Sequence, residues 1–214
     1  AQDDYFADHG PVQAFFLLIS AMLRKNRVAQ DNVAHAGDFH LITYLLQQIA
    51  PRHMQSVVYR CIVTLANTLT ESEELVRQIY RDLLLEFRLW LYTPLEVQLY
   101  CLCSMKSCIE SKMEFFRTDF GLQYFLDALH VYYWYEPGKH SVSERHHPTG
   151  ALRPCQPDDV ANLRGIVIGI MLSMLARQAE REDILLLFRS MLISHDQRHI
   201  YEMVTLLTQL MSQK

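Results

Sequence analysis

The chain has 214 residues, 50% of them hydrophobic, with only seven Gly and seven Pro, so it is long and apolar enough to bury a sizeable core. Lys+Arg 20 against Asp+Glu 24 gives a formal charge of −4 and leaves no concentrated basic surface for a phosphate backbone, so no nucleic-acid partner is expected. Five Cys, an odd number with three of them at 101, 103 and 108, point to reduced thiols and an intracellular setting rather than a disulfide framework.

No charged-then-apolar leader follows Ala1, which reads as a domain boundary with any targeting information expected elsewhere. Alternating Val/Ile/Thr runs bounded by turn residues are missing, whereas segments rich in Leu, Gln, Glu, Met and Ala recur, so every element is predicted helical. Pro11 suits a first helical turn and is followed by Phe15, Phe16, Leu18, Ile19, Met22 and Leu23 at helical spacing, ending at Arg24-Lys25. A second helix is predicted over Asp38 to Ala50, stopped near Pro51, and a third over Met54 to Leu69. Ser72, as N-cap ahead of Glu73 and Glu74, starts a helix that runs to about Leu91.

Thr93-Pro94-Leu95-Glu96 has the pattern of a capping box and opens a helix over 94–111. That helix is apolar nearly all round, so an interior position is expected. Another helix follows over Gly121 to Tyr133 and runs into the aromatic cluster Tyr132, Tyr133, Trp134 and Tyr135. Its rings cannot all point inward, which makes these four residues the candidate protein-binding anchors; the other reading is that they cap the hydrophobic layer beneath. From Glu136 to Pro157, six Pro or Gly residues and a polar, His-rich composition predict a long exposed loop. Helices resume over Asp158 to Gln178, Glu182 to Ser194 and Asp196 to Met211.

The longest apolar run, Gly165 to Ala176, is flanked by Arg164 and Arg177 and falls short of the roughly 20 residues needed to span a bilayer, so a buried helix and no transmembrane segment are expected. Within it, Gly165 and Gly169 form a small-xxx-small pair that predicts a close helix contact. Capped starts near 54 and 94, and near 158 and 196, are about 40 residues apart, as in armadillo or HEAT repeats. The expected fold is an all-α, armadillo/HEAT-like α-solenoid of about nine to ten helices. A plain helical bundle is the other architecture compatible with the pattern. Residues 1–214 read as a single armadillo-like domain in which the loop at 136–157 separates 1–135 from 158–214.

No metal site and no cofactor are expected. On a helix, Cys101 and Cys108 share a face while Cys103 points elsewhere, so thiolate ligation fails. His195 and His199 bracket a predicted helix start capped by Asp196, where a zinc hydrolase would place Glu, and His140, His146, His147 and Cys155 lack paired spacing. No phosphate loop, nucleophile elbow or Ser/His/Asp constellation is visible, so no catalytic residue is assigned and enzymatic activity is not expected.

Tyr80-Arg-Asp-Leu-Leu-Leu-Glu-Phe-Arg-Leu-Trp90 ahead of Pro94-Leu-Glu-Val-Gln98, Phe115 to Leu129 with its Phe-Gly pair and Leu-Asp, and the last three helices together resemble the helical-repeat region upstream of the BEACH domain in the neurobeachin family. The likeness covers roughly residues 75–214; Tyr100 to Cys108 and the His-rich loop lie outside it. What the resemblance implies is a very large cytoplasmic scaffold, peripheral to Golgi, vesicle or granule membranes, with pleckstrin-like, BEACH and WD-repeat portions elsewhere and no catalytic residues to carry over. The expected role is a protein-interaction module in membrane trafficking. Alternatives are a helical regulator of a small GTPase and a structural spacer between flanking domains.

Overall fold

A computed structural model describes residues 10–69, 71–134, 147–151 and 155–212. Among them are twelve α-helices and no strand: α1 (Pro11–Leu23), α2 (Arg27–Ala36), α3 (Asp38–Gln47), α4 (Ser56–Thr68), α5 (Glu73–Ile79), α6 (Phe87–Trp90), α7 (Leu95–Ser111), α8 (Met113–Asp119), α9 (Gly121–Val131), α10 (Pro157–Arg177), α11 (Arg181–Ile193) and α12 (Gln197–Ser212). The all-helical expectation holds, and the extra helices are short ones. α2 starts where the Asn26 side chain accepts from Ala29 N and ends at Gly37, whose φ of 68° turns the chain straight into α3.

The single helix expected over 72–91 is three pieces. After α5 the backbone widens into a π-helical turn, Tyr80–Leu84, closed by Leu85 N donating to Tyr80 O; the chain then breaks and restarts as α6, with the Glu86 side chain accepting from Arg88 N. The expected caps also move. Ser72 precedes α5 but makes no side-chain cap bond, and the Thr93 hydroxyl donates back to Trp90 O rather than capping α7. Capping boxes form instead at Gln156/Asp159 on α10 and Glu180/Asp183 on α11.

The helices sort into two compact units, one running up to Cys101 and including residues 147–151 and 155, the other comprising residues 102–134 and 156–212. In the first unit α1 packs on α4, α2 on α5, and α3 on α6 and the π turn. Each helix meets the one three places later, and the starts of α1 and α4 (Pro11, Ser56) and of α2 and α5 (Arg27, Glu73) lie 45 and 46 residues apart. That is the three-helix period of an armadillo-type repeat. Its core is aromatic and aliphatic: Phe16, Phe39, Tyr59, Ile62 and Leu75 are fully buried, and the Tyr59 and Trp90 rings meet edge-on at 5.0 Å. In the second unit α9 packs on α11 and α10 on α12, an alternation of two.

Three expectations are corrected. Helix α7 buries only one stripe, Gln98, Cys101, Leu102, Met105 and Ile109, while Tyr100 and Cys103 are exposed, so it is not interior all round. In the stretch expected as an exposed loop, residues 136–146 and 152–154 lie outside the described residues. Of the remainder, Pro148 to Gly150 are exposed but His147 is buried, its ring 5.2 Å from that of Tyr92, and Gln98 Nε2 donates to Cys155 Sγ at 3.2 Å. The glycine pair of α10 has no close neighbour: a Cβ on Gly165 would meet nothing, and one on Gly169 would meet only Lys106 Nζ at 3.5 Å. Helix α10 itself is 21 residues long, because the polar first turn joins the apolar run, and by length and composition it reaches what a bilayer crossing requires. Eight of its residues, from Val160 to Leu175, are buried in the second unit.

Candidate functional site

The largest fully buried side chain among the described residues is a charged one. Arg164 occupies a core position of α10, on the stripe Val160, Leu163, Val167, Ile170, Met171 and Met174, and is 0% exposed. Burying a guanidinium is tolerable only if its charge is paired and its donors are all taken. All five are. Nε bonds the Glu202 carboxylate at 3.0 and 3.1 Å, Nη1 donates to Leu129 O and Tyr133 O at 3.1 and 2.6 Å, and Nη2 reaches Glu202 Oε2 and His199 Nδ1. The two carbonyls lie at the C-terminal end of α9, where helix geometry leaves acceptors without intrahelical donors, so Arg164 caps α9 while it is anchored to α12.

His199 continues the network from α12. It sits on the buried stripe with Met203, Leu206 and Leu210, and its Nε2 lies 2.7 Å from Ser190 Oγ of α11, which is 3.1 Å from His130 Nε2 of α9. The two imidazole rings are 4.5 Å apart. Burial, then the neighbouring His130 and Arg164, depress the His199 pKa to about 3, and burial followed by Arg164 lowers that of His130, so the pair is neutral at pH 7.

Ser190, His199 and Glu202 are the residue types of a nucleophilic triad, a grouping that the sequence had not suggested. The wiring opposes that chemistry. A guanidinium only donates, so Arg164 Nη2 at 3.0 Å makes His199 Nδ1 the acceptor and puts the ring proton on Nε2, pointing at Ser190 Oγ. A general base for a serine needs its lone pair there and its proton facing the carboxylate. Glu202 Oε2 stands 3.9 Å from Nδ1 and is engaged by Arg164 instead.

The expected aromatic anchors lie at this end of α9. Tyr133 turns inward and is buried; Tyr132 and Trp134 are half-buried, the Trp134 ring 5.9 Å from that of His130; and Tyr135 lies outside the described residues. Beside them a groove of about 500 Å3 runs between α9 and α11, with Asp127, His130, Arg189 and Ser190 among its lining. A second arginine, Arg117 of α8, donates to Met174 O at the end of α10 and pairs with Asp183 in the first turn of α11 at 3.0 Å, fixing that corner.

His195 is exposed while His199 is buried, so the two histidines do not converge, and no group of three or more His, Cys, Asp or Glu among the described residues is arranged to hold a metal ion. Cys101 is buried, Cys108 half-buried and Cys103 exposed. Burial pushes the Cys101 thiol well above its ordinary pKa, so it stays a protonated, unreactive group.

The surface carries the other departure from a self-contained fold. In the first unit Leu18, Met22, Leu41, Tyr44 and Leu45 of α1 and α3 are each more than half exposed; in the second, Leu185, Leu192, Ile193, Tyr201 and Met211 of α11 and α12 are too. The sequence signal for Arg164 and His199 was available. Each falls on the apolar stripe of its own helix, where a polar residue must find a partner, although Arg164 also flanks the apolar run and His199 lies near a helix start.

No solved structure matches the chain. A family model described as the Neurobeachin/BDCP, DUF4704 alpha solenoid region matches residues 2–214. The chain therefore belongs to the neurobeachin family, as part of its α-solenoid region.

Proposed function

We propose that this α-solenoid is a non-catalytic protein-interaction module of a large BEACH-family scaffold acting in vesicle and granule membrane trafficking. The observation that carries the reading is the set of large apolar side chains left more than half exposed on α1/α3 and on α11/α12, where a covering partner would remove them from water. The fixed tautomer of His199 supports a structural rather than a chemical role for the buried polar cluster. In this reading the partners are proteins, Tyr132 and Trp134 add a further contact surface, and the module works in the cytoplasm, held near Golgi or vesicle membranes by other portions of the full protein. Helix α10 is a core helix, its buried face closed by Arg164.

Affinity capture from a cytosolic extract tests this. The unsubstituted chain should retain specific proteins that a chain carrying Leu18→Gln, Leu41→Gln, Leu192→Gln and Tyr201→Gln loses. Equal retention by both, with the same melting temperature, would remove the exposed faces from the argument.

A further inference from the structure

Charge is distributed unevenly along this chain. Residues 10–69 hold five basic residues (Arg24, Lys25, Arg27, Arg52, Arg60) and only two acidic ones, Asp31 and Asp38, although the whole chain has an acidic excess. No Asp or Glu occurs in α1, in α3 after its first residue, or in the Pro51–His53 turn. Those same elements bound an apolar groove of about 390 Å3, lined by Phe15 on one side and by Ile42, Leu45, Leu46, Ile49 and His53 on the other. On α1 the residues Pro11, Phe15, Leu18 and Met22 follow at i, i+4, i+7 and i+11, one continuous exposed stripe that runs into Arg24 and Lys25.

We infer that this groove receives an acidic amphipathic helix, whose apolar side chains enter between α1 and α3 and whose carboxylates lie against the positive rim. The inference rests on the interaction-module reading above and names the partner's chemistry for one of its faces. Three features set the sign of the rim. Arg52 is exposed beside the groove, with Nε 3.3 Å from Nε2 of His53, which lines it. The positive end of the α1 dipole opens there too: Pro11 and Val12 line the groove, and the first turn has neither a side-chain cap nor an acidic residue to neutralise it. Among the described residues, α1, α3 beyond Asp38 and the Pro51–His53 turn carry no carboxylate to compete with an incoming one.

The shape selects a helix over a lipid surface. A cleft between two helices accepts side chains that project from a partner at i, i+3, i+4 and i+7. A bilayer would take up the protruding side chains, such as Leu18 and Leu45, but leave the recessed Ile42, Leu46 and Ile49 between them unfilled.

The test uses the 214-residue chain and a fluorescein-labelled 18-residue helix with Leu at i, i+3, i+4 and i+7 and Glu elsewhere, alongside a twin with Lys for Glu. Anisotropy should show saturable binding of the Glu helix, at least tenfold tighter than the Lys twin and weakened by added salt. Leu45→Asp and Arg52→Glu, both at exposed positions, should each weaken it about tenfold or more while leaving the melting temperature unchanged. Equal or tighter binding of the Lys twin overturns the inference, as does indifference to both substitutions. So does sedimentation with phosphatidylserine-containing vesicles in place of peptide binding, or a Leu45-dependent dimer that excludes the peptide. If the chain captures proteins but ignores the Glu helix, this inference alone fails; if it captures none, the interaction-module reading fails with it.

Discussion

The interior of α9–α12 and the exterior of α1 and α3 invert the usual placement of side chains in opposite directions. In the first, an arginine lies deeper than most leucines; in the second, leucines and a tyrosine stand in water. Both are costly in isolation, and they are resolved differently. Arg164 finds all its partners within its own unit, on α9 and α12, so its cost is offset inside the fold. Leu18, Met22, Leu41 and Tyr44 are left exposed by the described residues of the fold. The comparison teaches that the polar cluster belongs to stability and the apolar face to recognition, and substitutions can break that division.

The largest effect is expected at Arg164. Arg164→Met removes the guanidinium that pairs with the half-buried Glu202 carboxylate and donates to Leu129 O and Tyr133 O, and should destabilise by about 3–5 kcal/mol in a denaturant titration. Adding Glu202→Leu should recover part of that loss, since removing both charges spares the unpaired carboxylate; if the double variant is as unstable as the sum of the singles, the ion pair is not the coupling element.

The next effect depends on pH. An unfolded histidine titrates near 6.5 and folded His199 near 3, so between those values the unfolded state binds more protons and stability falls as pH falls. The contribution is complete above about pH 6.5 and shrinks as pH drops toward 3. Comparing the chain with a His199→Gln variant isolates it: the stability difference between the two should change by up to about 1.4 kcal/mol per pH unit in that window. A difference that is flat between pH 7 and 4 would mean that His199 is not held neutral.

How much of this was legible follows from which forces are local. The last three helices, expected at 158–178, 182–194 and 196–211, are found at Pro157–Arg177, Arg181–Ile193 and Gln197–Ser212; Pro157 with Asp158 and Asp159 on α10, and Glu182 with Asp183 on α11, act within one turn of chain. Helix α2 was missed because its ten residues hold no Leu, Ile, Met or Phe to mark an apolar stripe. The π turn was missed because widening there suits the packing of Tyr80–Leu84 on α3 and α4, which local propensity does not encode. The polar cluster brings together residues 38 apart and more, Arg164 with Glu202 and His130 with Ser190, which periodicity alone cannot pair. Exposure of the outer faces was not legible either, since helical spacing places Phe15, Leu18 and Met22 on one stripe without saying what covers it.

A smaller effect separates Gly169 from the packing role its spacing suggested. A Cβ there meets only the end of a flexible lysine at an ordinary contact distance, and the residue is helical, so Gly169→Ala should stabilise by about 0.5–1 kcal/mol through helix propensity alone. Loss of stability in the same titration would restore the close helix contact.

The smallest effect is expected on the exposed faces, and it bears most directly on the comparison. Leu18, Leu41 and Tyr44 are each more than half exposed, so their apolar area is largely in water in the folded chain and unfolding exposes little more of it. Leu18→Gln, Leu41→Gln and Tyr44→Gln should therefore each shift stability by no more than about 0.5 kcal/mol, the range of substitutions remote from packing. Gln keeps a helix-compatible side chain, so propensity contributes little to the difference. If these changes instead cost 2 kcal/mol or more, the stripe is packed within the isolated chain and cannot also be a docking surface. If they are neutral, and each lowers the loss of 1-anilinonaphthalene-8-sulfonate fluorescence that the Glu helix causes on binding, the face is apolar, accessible and held in reserve for a partner.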